Sequence, residues 1–258
     1  MKKILYLIPL LLMATACDWF EFDNMDGYDA TISGQFIDSG TNQPVLFGVP
    51  DNYGFTIYEQ EGSFTPAKGT FKPTAQTWYA KTNGSYTNKL VFSGKYRIDT
   101  KTNNFYPLTE EFTIAKGDNQ KNFTVTPFAR VKDVSFSYDS GSQELVAKFK
   151  VEHGDVAKTN NIDVNFMIAK SRFVGQSNNN AKDATASKKA VSAGTEIELR
   201  ISTKGGNNSE FQYKQPHYLR IGALATGPGV NGNKKYNYSA VYKVSEDFSK
   251  FEEVTDWD

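Results

Sequence analysis

The chain has 258 residues, with 29 basic and 29 acidic side chains, one cysteine and an aromatic content of 14%. That charge balance offers no basic field to attract nucleic acid, and a lone cysteine excludes an internal disulfide. Abundant Tyr and Phe among polar residues favour strands and polar loops over helices.

Residues 1–17 have the three parts of a bacterial export signal. Lys2 and Lys3 give a positive start, Ile4 to Met13 is an apolar run broken by Tyr6 and Pro9, and Ala14-Thr15-Ala16 is a small-residue cleavage site directly before Cys17. The run is shorter than the roughly 20 residues that a membrane-crossing helix needs. Cys17 stands where diacylglycerol is attached in a lipoprotein, although Ala14 replaces the usual leucine three residues earlier. The expectation is lipidation at Cys17, which anchors stably because each buried methylene contributes about 0.8 kcal/mol. The other reading is a free thiol beside an ordinary cleavage site. Beyond the leader the chain keeps 27 basic against 29 acidic side chains, a formal charge of −2. Residues 18–29 hold five carboxylates and no base. They resemble the acidic export tag that follows the lipid-bearing cysteine in surface lipoproteins of the Bacteroidetes, or else form a solvated tether.

From residue 30 strand-like alternation is nearly continuous. Ile32, Gly34 and Phe36 share one face of a first strand, and a turn-rich loop runs from Asp38 to Pro44. Phe55 and Ile57 alternate with Thr56 and Tyr58. Leu90 and Phe92 precede Ser93-Gly94, and Tyr96 and Ile98 follow it. Phe112 and Ile114 lead to a turn at Lys116-Gly117-Asp118-Asn119, and Phe123, Val125 and Pro127 close the series. A second series begins after the junction Pro127-Phe128-Ala129-Arg130-Val131. It comprises Val134 to Tyr138, Leu145 to Val151, Ile162 to Ile168, Ile197 to Ile201, Leu219 to Ala223, and Tyr236 to Val244. Lys170 to Ala190 is rich in Ser, Asn and Lys and reads as a loop. The expected architecture is all-β: two tandem β-sandwiches, 30–127 and 128–258, the second of immunoglobulin/fibronectin type.

The order Thr31-Ile32-Ser33-Gly34-Gln35-Phe36-Ile37-Asp38, a turn with Pro44, then Phe92-Ser93-Gly94-Lys95-Tyr96-Arg97-Ile98 resembles transthyretin-type, carboxypeptidase-regulatory-like domains. The long insertion between Pro44 and Leu90 departs from their compact pattern. Together with Cys17, the 127–131 junction and the terminal Tyr238-Ser239-Ala240-Val241-Tyr242, the whole plan resembles a two-domain family of Bacteroidetes lipoproteins of unknown function, associated with glycan-utilisation loci. The resemblance implies an outer-membrane protein, lipid-anchored and facing the cell exterior, whose partners are a polysaccharide or oligosaccharide and the proteins of a transporter complex. It supplies no ligand residues.

Signs of catalysis are weak. His153 and His217 have no Cys or His partner at ligand spacing, so no zinc site is expected. No Gly-x-Ser-x-Gly elbow occurs. The pairs Glu110-Glu111 and Glu252-Glu253 point to opposite faces if they lie on strands. The glycine-rich runs 205–208 and 227–232 lack the phosphate-loop pattern. No cofactor is expected. Sugars stack their C–H faces on flat rings, so the glycan-binding candidates are Trp78, Tyr79 and Tyr53, of which Trp78 and Tyr79 must face opposite sides of any strand. Two other aromatics belong to this suggestive group, Trp257 in the tail and Tyr213 between the last expected strands. The expected function is a non-catalytic surface lipoprotein, glycan-binding or accessory to polysaccharide uptake. The alternatives are an adhesive or pilus-like subunit and, below that, a hydrolase.

Overall fold

The computed structural model describes residues 27–51, 54–60, 72–101, 103–179, 185–204, 209–230 and 235–257. Cys17, the leader, most of the acidic tether and Tyr53 lie outside them. Among the described residues the protein is all-β, with two short 3₁₀ turns and no α-helix.

In the first half, β1 (Ala30–Asp38), β2 (Gly54–Glu59), β3 (Ala75–Tyr79), β4 (Ser85–Val91), β5 (Gly94–Thr100), β6 (Leu108–Ile114), β7 (Gly117–Gln120) and β8 (Phe123–Val125) form two four-stranded sheets. In one, β1 pairs antiparallel with β4 and parallel with β7 and β8. The other runs β3-β2-β5-β6, antiparallel throughout. Alternation in β1 sends Ala30, Ile32 and Phe36 inward, as the pattern of apolar positions dictates. Phe36 lies at the centre, with the rings of Phe47, Phe55, Phe105 and Phe123 between 5.0 and 5.5 Å away, centroid to centroid. An aromatic core of this kind gains edge and offset contacts beyond its area of burial. Gly34 has to be glycine, because a Cβ there would lie 1.7 Å from the Lys121 carbonyl oxygen. The Gly94-Lys95-Tyr96 element begins β5 as expected. The Tyr96 ring is buried, and its hydroxyl donates to the Phe92 carbonyl at 2.9 Å. Asp29, the last residue of the acidic tether, accepts from the Ser93 backbone N–H (2.6 Å) and hydroxyl (2.8 Å). Those bonds, ahead of a smaller effect from Lys116, hold its carboxyl below the ordinary range.

In the second half, β9 (Ala129–Asp139), β10 (Glu144–His153), β11 (Asn161–Ala169), β12 (Thr185–Val191), β13 (Ile197–Ser202), β14 (His217–Thr226), β15 (Asn237–Tyr238), β16 (Tyr242–Val244) and β17 (Phe251–Glu253) again make two sheets. They are β13-β10-β9 and β12-β11-β14-β16-β17, with β15 also on β14. Their inward residues, among them Leu145, Phe149, Ile162, Phe166, Leu199 and Ile221, form a core separate from the aromatic one.

Three details differ from the sequence expectation. The stretch taken as a loop from Lys170 to Ala190 ends in β12, an edge strand paired to β11. Its sequence, Thr-Ala-Ser-Lys-Lys-Ala-Val, is mostly exposed and shows no apolar period, so only backbone pairing marks it as a strand. The turn expected at 116–119 largely becomes the short parallel strand β7, held by Asn119, whose side chain bonds to the backbone of Thr31 and Ala115. The single strand expected from Tyr236 to Val244 is broken between β15 and β16. There the Ser239 hydroxyl, rather than a backbone carbonyl, accepts from the Ile221 N–H.

Candidate functional site

The two halves meet through buried polar side chains. Asp38, at the end of β1, makes a two-pronged ion pair with Arg130 on β9: Nε to Oδ2 is 2.6 Å and Nη2 to Oδ1 is 2.7 Å. Burial pushes the Asp38 carboxyl upward, but the Arg130 bonds and those from the Gly40 N–H and Thr41 hydroxyl outweigh it and hold the group below its ordinary value. Asn104 donates to the carbonyls of Leu46 (3.1 Å) and Tyr236 (3.3 Å), and Asn237 reaches back to the Asn104 carbonyl (2.8 Å) while accepting from the Ala129 N–H (3.0 Å). Asp51 accepts from the Tyr238 hydroxyl (3.1 Å) and the Ser177 N–H (3.1 Å). Buried polar pairs of this kind fix one relative placement, because every displacement strands a donor or acceptor.

Beside this seam lie two cavities. One, of about 430 Å³, is lined by the Asp38–Arg130 pair and by Lys132 and Asp133. The other, of about 360 Å³, is a cleft whose walls come from both halves. Gln35, Gln43 and Asn83 line it from the first sandwich, and Glu253 and Trp257 from the second. Trp257 is half-buried and held from the side. Its ring lies 6.3 Å from that of Phe173, and the Arg172 guanidinium sits 5.6 Å from its centroid while Arg172 Nη1 donates to the Asp256 carbonyl at 3.0 Å. A ring fixed in this way is ready to receive a flat partner, at little entropic cost on binding.

At the floor of the same cleft is Arg220, from the middle of β14, with no solvent exposure. Its Nε donates to the Ser239 carbonyl (2.9 Å), and its Nη1 to those of Phe47 (2.9 Å) and Val174 (3.2 Å). The guanidinium lies 4.2 Å from the centroid of the Tyr238 ring. Burial brings its pKa down to about 10, against the supporting fields of Tyr238 and Asp51, so the group is charged at neutral pH. Burial first, and then the Asp51 charge, push the Tyr238 hydroxyl upward.

The aromatic candidates separate. Trp78 on β3 faces inward opposite Phe55, 6% exposed, with its ring 6.2 Å from Phe55 and 6.1 Å from Tyr96. It is therefore a core residue, and its flat face is not open to a sugar. Its neighbour Tyr79 is 56% exposed, opposite Gly54, whose missing side chain leaves room beside the phenol. Tyr213 is exposed as well, outside both cavities. Of the histidines, His217 is buried, with Nε2 3.2 Å from the Glu210 carbonyl, and His153 Nδ1 is 2.7 Å from the Thr159 hydroxyl. Among the described residues no three His, Cys, Asp or Glu side chains come together as a metal site.

Sequence reasoning named Trp78, Tyr79 and Tyr53 as candidates, noted Trp257 only as an aromatic of the tail, and missed the cleft. One signal was readable: Arg220 interrupts Leu219-Arg220-Ile221-Gly222-Ala223-Leu224-Ala225, an otherwise apolar strand. A charge there has to be buried or break the pattern. The amides on the opposite wall gave no such signal, because their convergence depends on how the halves dock.

No family model matches the chain, and no curated protein matches it. Solved structures do. A protein of Bacteroides uniformis, provisionally assigned to carbohydrate binding, is 27% identical with a TM-score of 0.70, over 85% of this chain and 100% of that one. A DUF3823 family protein of Parabacteroides merdae (21% identity, TM-score 0.65) and another of Bacteroides ovatus (20%, 0.65) each match 84% of this chain and 99% of their own. The last two likenesses establish that this chain shares their fold.

Proposed function

We propose that the protein is a non-catalytic, lipid-anchored protein of the outer cell surface whose interdomain cleft captures glycan beside a polysaccharide-uptake complex. The observation that carries the reading is the cleft itself, lined by Trp257, held by Phe173 and Arg172, together with Gln35, Gln43 and Asn83. A ring for the C–H face of a sugar, with amides that both donate and accept for its hydroxyls, is the combination that saccharide recognition needs. The likeness to the carbohydrate-binding assignment in Bacteroides uniformis supports it. Among the described residues Glu253 is the one carboxylate lining the cleft, whereas glycoside hydrolysis generally uses two, which favours binding over cleavage. The leader, Cys17 and the acidic tether support the surface placement.

The test is affinity electrophoresis of the purified protein in gels containing plant, host and microbial polysaccharides. Retardation by at least one glycan, lost in Trp257→Ala with the thermal transition retained, is the expected result. Retardation lost in Tyr79→Ala and kept in Trp257→Ala would move the site to β3. No retardation by any glycan refutes the reading.

A further inference from the structure

Two buried polar atoms of residues lining the cleft have no hydrogen-bond partner among the described residues: Nη2 of Arg220 and Oγ1 of Thr82. Both belong to residues that line the same cavity, one from each sandwich. Thr82 is 3% exposed and Arg220 fully enclosed. A protein interior rarely leaves such groups unmade, since each orphan costs about 1–3 kcal/mol and more when charged. Both residues line one cavity, where a ligand can supply the missing partner.

The charge state narrows what that ligand is. Among the described residues no carboxylate lies within hydrogen-bonding distance of Arg220. Its three donated bonds run to neutral carbonyls, and its π partner is the Tyr238 ring. Asp51, bonded to the Tyr238 hydroxyl, supplies a balancing charge. A buried guanidinium so arranged has spent Nε and Nη1 on positioning and keeps Nη2 for an anion, to which a charge-assisted bond is roughly twice as strong as a neutral one. Glu253 also lines the cleft, but it is exposed and takes a bond from the Tyr242 hydroxyl at 3.3 Å, so solvent and salt screen it. Arg220 at the floor is not screened in that way.

Resting on the glycan reading, we infer that the cleft selects an acidic saccharide, with Arg220 Nη2 taking the sugar's oxyanion, Thr82 Oγ1 bonding beside it, and Trp257 stacking on the ring. The oxyanion is the carboxylate of a uronic acid or a sulfate ester; both present the same acceptor to one guanidinium nitrogen.

Binding is measured by calorimetry on the purified protein with oligogalacturonate, heparin-type oligosaccharides and neutral malto-, xylo- and β-glucan oligosaccharides, at low and high salt. The two acidic arms separate carboxylate from sulfate, and either supports the inference. An acidic oligosaccharide is expected to bind at least tenfold more tightly than its neutral counterparts, an advantage that salt reduces only weakly because the guanidinium is buried. Arg220→Met removes the charge and keeps the bulk. Where its thermal transition stays cooperative, this variant decides, with an expected loss of tenfold or more. Where it does not fold, Thr82→Val decides, with an expected loss of about fivefold, the worth of one hydrogen bond near 1 kcal/mol. Acidic binding that the deciding variant leaves unchanged overturns the inference. Binding of neutral sugars alone, sensitive to Trp257→Ala, overturns it and leaves the glycan reading standing. Binding of no oligosaccharide overturns both.

Discussion

Replacing Trp78 by alanine should destabilise the first sandwich by about 3–5 kcal/mol, the usual range for deleting a large aromatic side chain from a core. The structure supports the upper half. The residue is 6% exposed and packs against Phe55 and Tyr96. An indole of its kind removes on the order of 200 Å² from water, and about 25 cal/mol per Å² sets a ceiling near 5 kcal/mol. Its N–H is 3.2 Å from the Gln76 side-chain oxygen, a contact that contributes little beside that burial. Tyr79, one residue along β3, points the other way, so Tyr79→Ala should shift stability by no more than about 0.5 kcal/mol. The assay is urea denaturation followed by circular dichroism, fitted with a separate transition for each half, because a chain with two cores need not unfold in one step. A cost below about 1 kcal/mol for Trp78→Ala, or above about 2 kcal/mol for Tyr79→Ala, would refute the inside-outside assignment of β3.

Asp38→Asn should cost about 2–4 kcal/mol, because it strands a mostly buried Arg130, and should lower the cooperativity between the two halves in the same urea titration. Since Asp38 titrates below its ordinary value when folded, its contribution is present at neutral pH and is lost as pH falls through that range. The wild-type protein should therefore lose stability on acidification below about pH 5 more steeply than the variant, as read from urea midpoints. His217 behaves in the same direction at higher pH. Burial, ahead of the opposing bonds to Glu210, holds its pKa below 6.5, so the unfolded chain takes up a proton that the folded one refuses. Stability should fall as pH drops from 6.5 towards that depressed value, at no more than about 1.4 kcal/mol per pH unit, and His217→Gln should remove the slope between pH 7.5 and 5.5. Gly154→Ala should destabilise by more than about 2 kcal/mol in thermal melts, because its Cβ would lie 1.6 Å from the Pro127 carbonyl oxygen at the junction of the halves.

The strands that carry the two cores were legible because they alternate: Ile32 and Phe36, Phe55 and Ile57, Leu145 to Val151, Ile162 to Ile168. Each places its apolar residues on one face, and one face is what a sandwich buries. The edges were not legible. β12 and β7 bury almost nothing, so their sequences answer to hydrogen-bond geometry rather than to a core, and Lys188-Lys189 or Asp118-Asn119 read as loop. Trp78-Tyr79 illustrates the limit of local pattern. Adjacent aromatics announce that one faces in, but which one depends on the register of β3 against β2, set by Phe55 opposite Trp78. The cleft was the least accessible feature. Gln35 follows from its place on β1 and Trp257 from its place in the tail, yet their meeting depends on the docking of the two halves.

That docking also bears on how the cleft works. An apolar seam could slide by a fraction of a residue at small cost, since hydrophobic contact is non-directional. Here Leu46 does pack on a small apolar cluster of the second sandwich, but it is surrounded by directional bonds from Asp38, Asn104, Asn237 and Asp51. Arg220 belongs to both sides of this argument. Its Nη1 holds the Phe47 carbonyl of one sandwich and the Val174 carbonyl of the other, while its Nη2 is left over. The residue that aligns the two walls thus also supplies the unused donor between them. Movement of the halves would break its carbonyl bonds before it opened the cleft, so the relative placement of the two walls is held before a ligand arrives. Stability of the seam and affinity in the cleft should accordingly change together when Arg220 is altered, whereas Thr82 and Trp257, which hold no interdomain bond, should affect affinity alone.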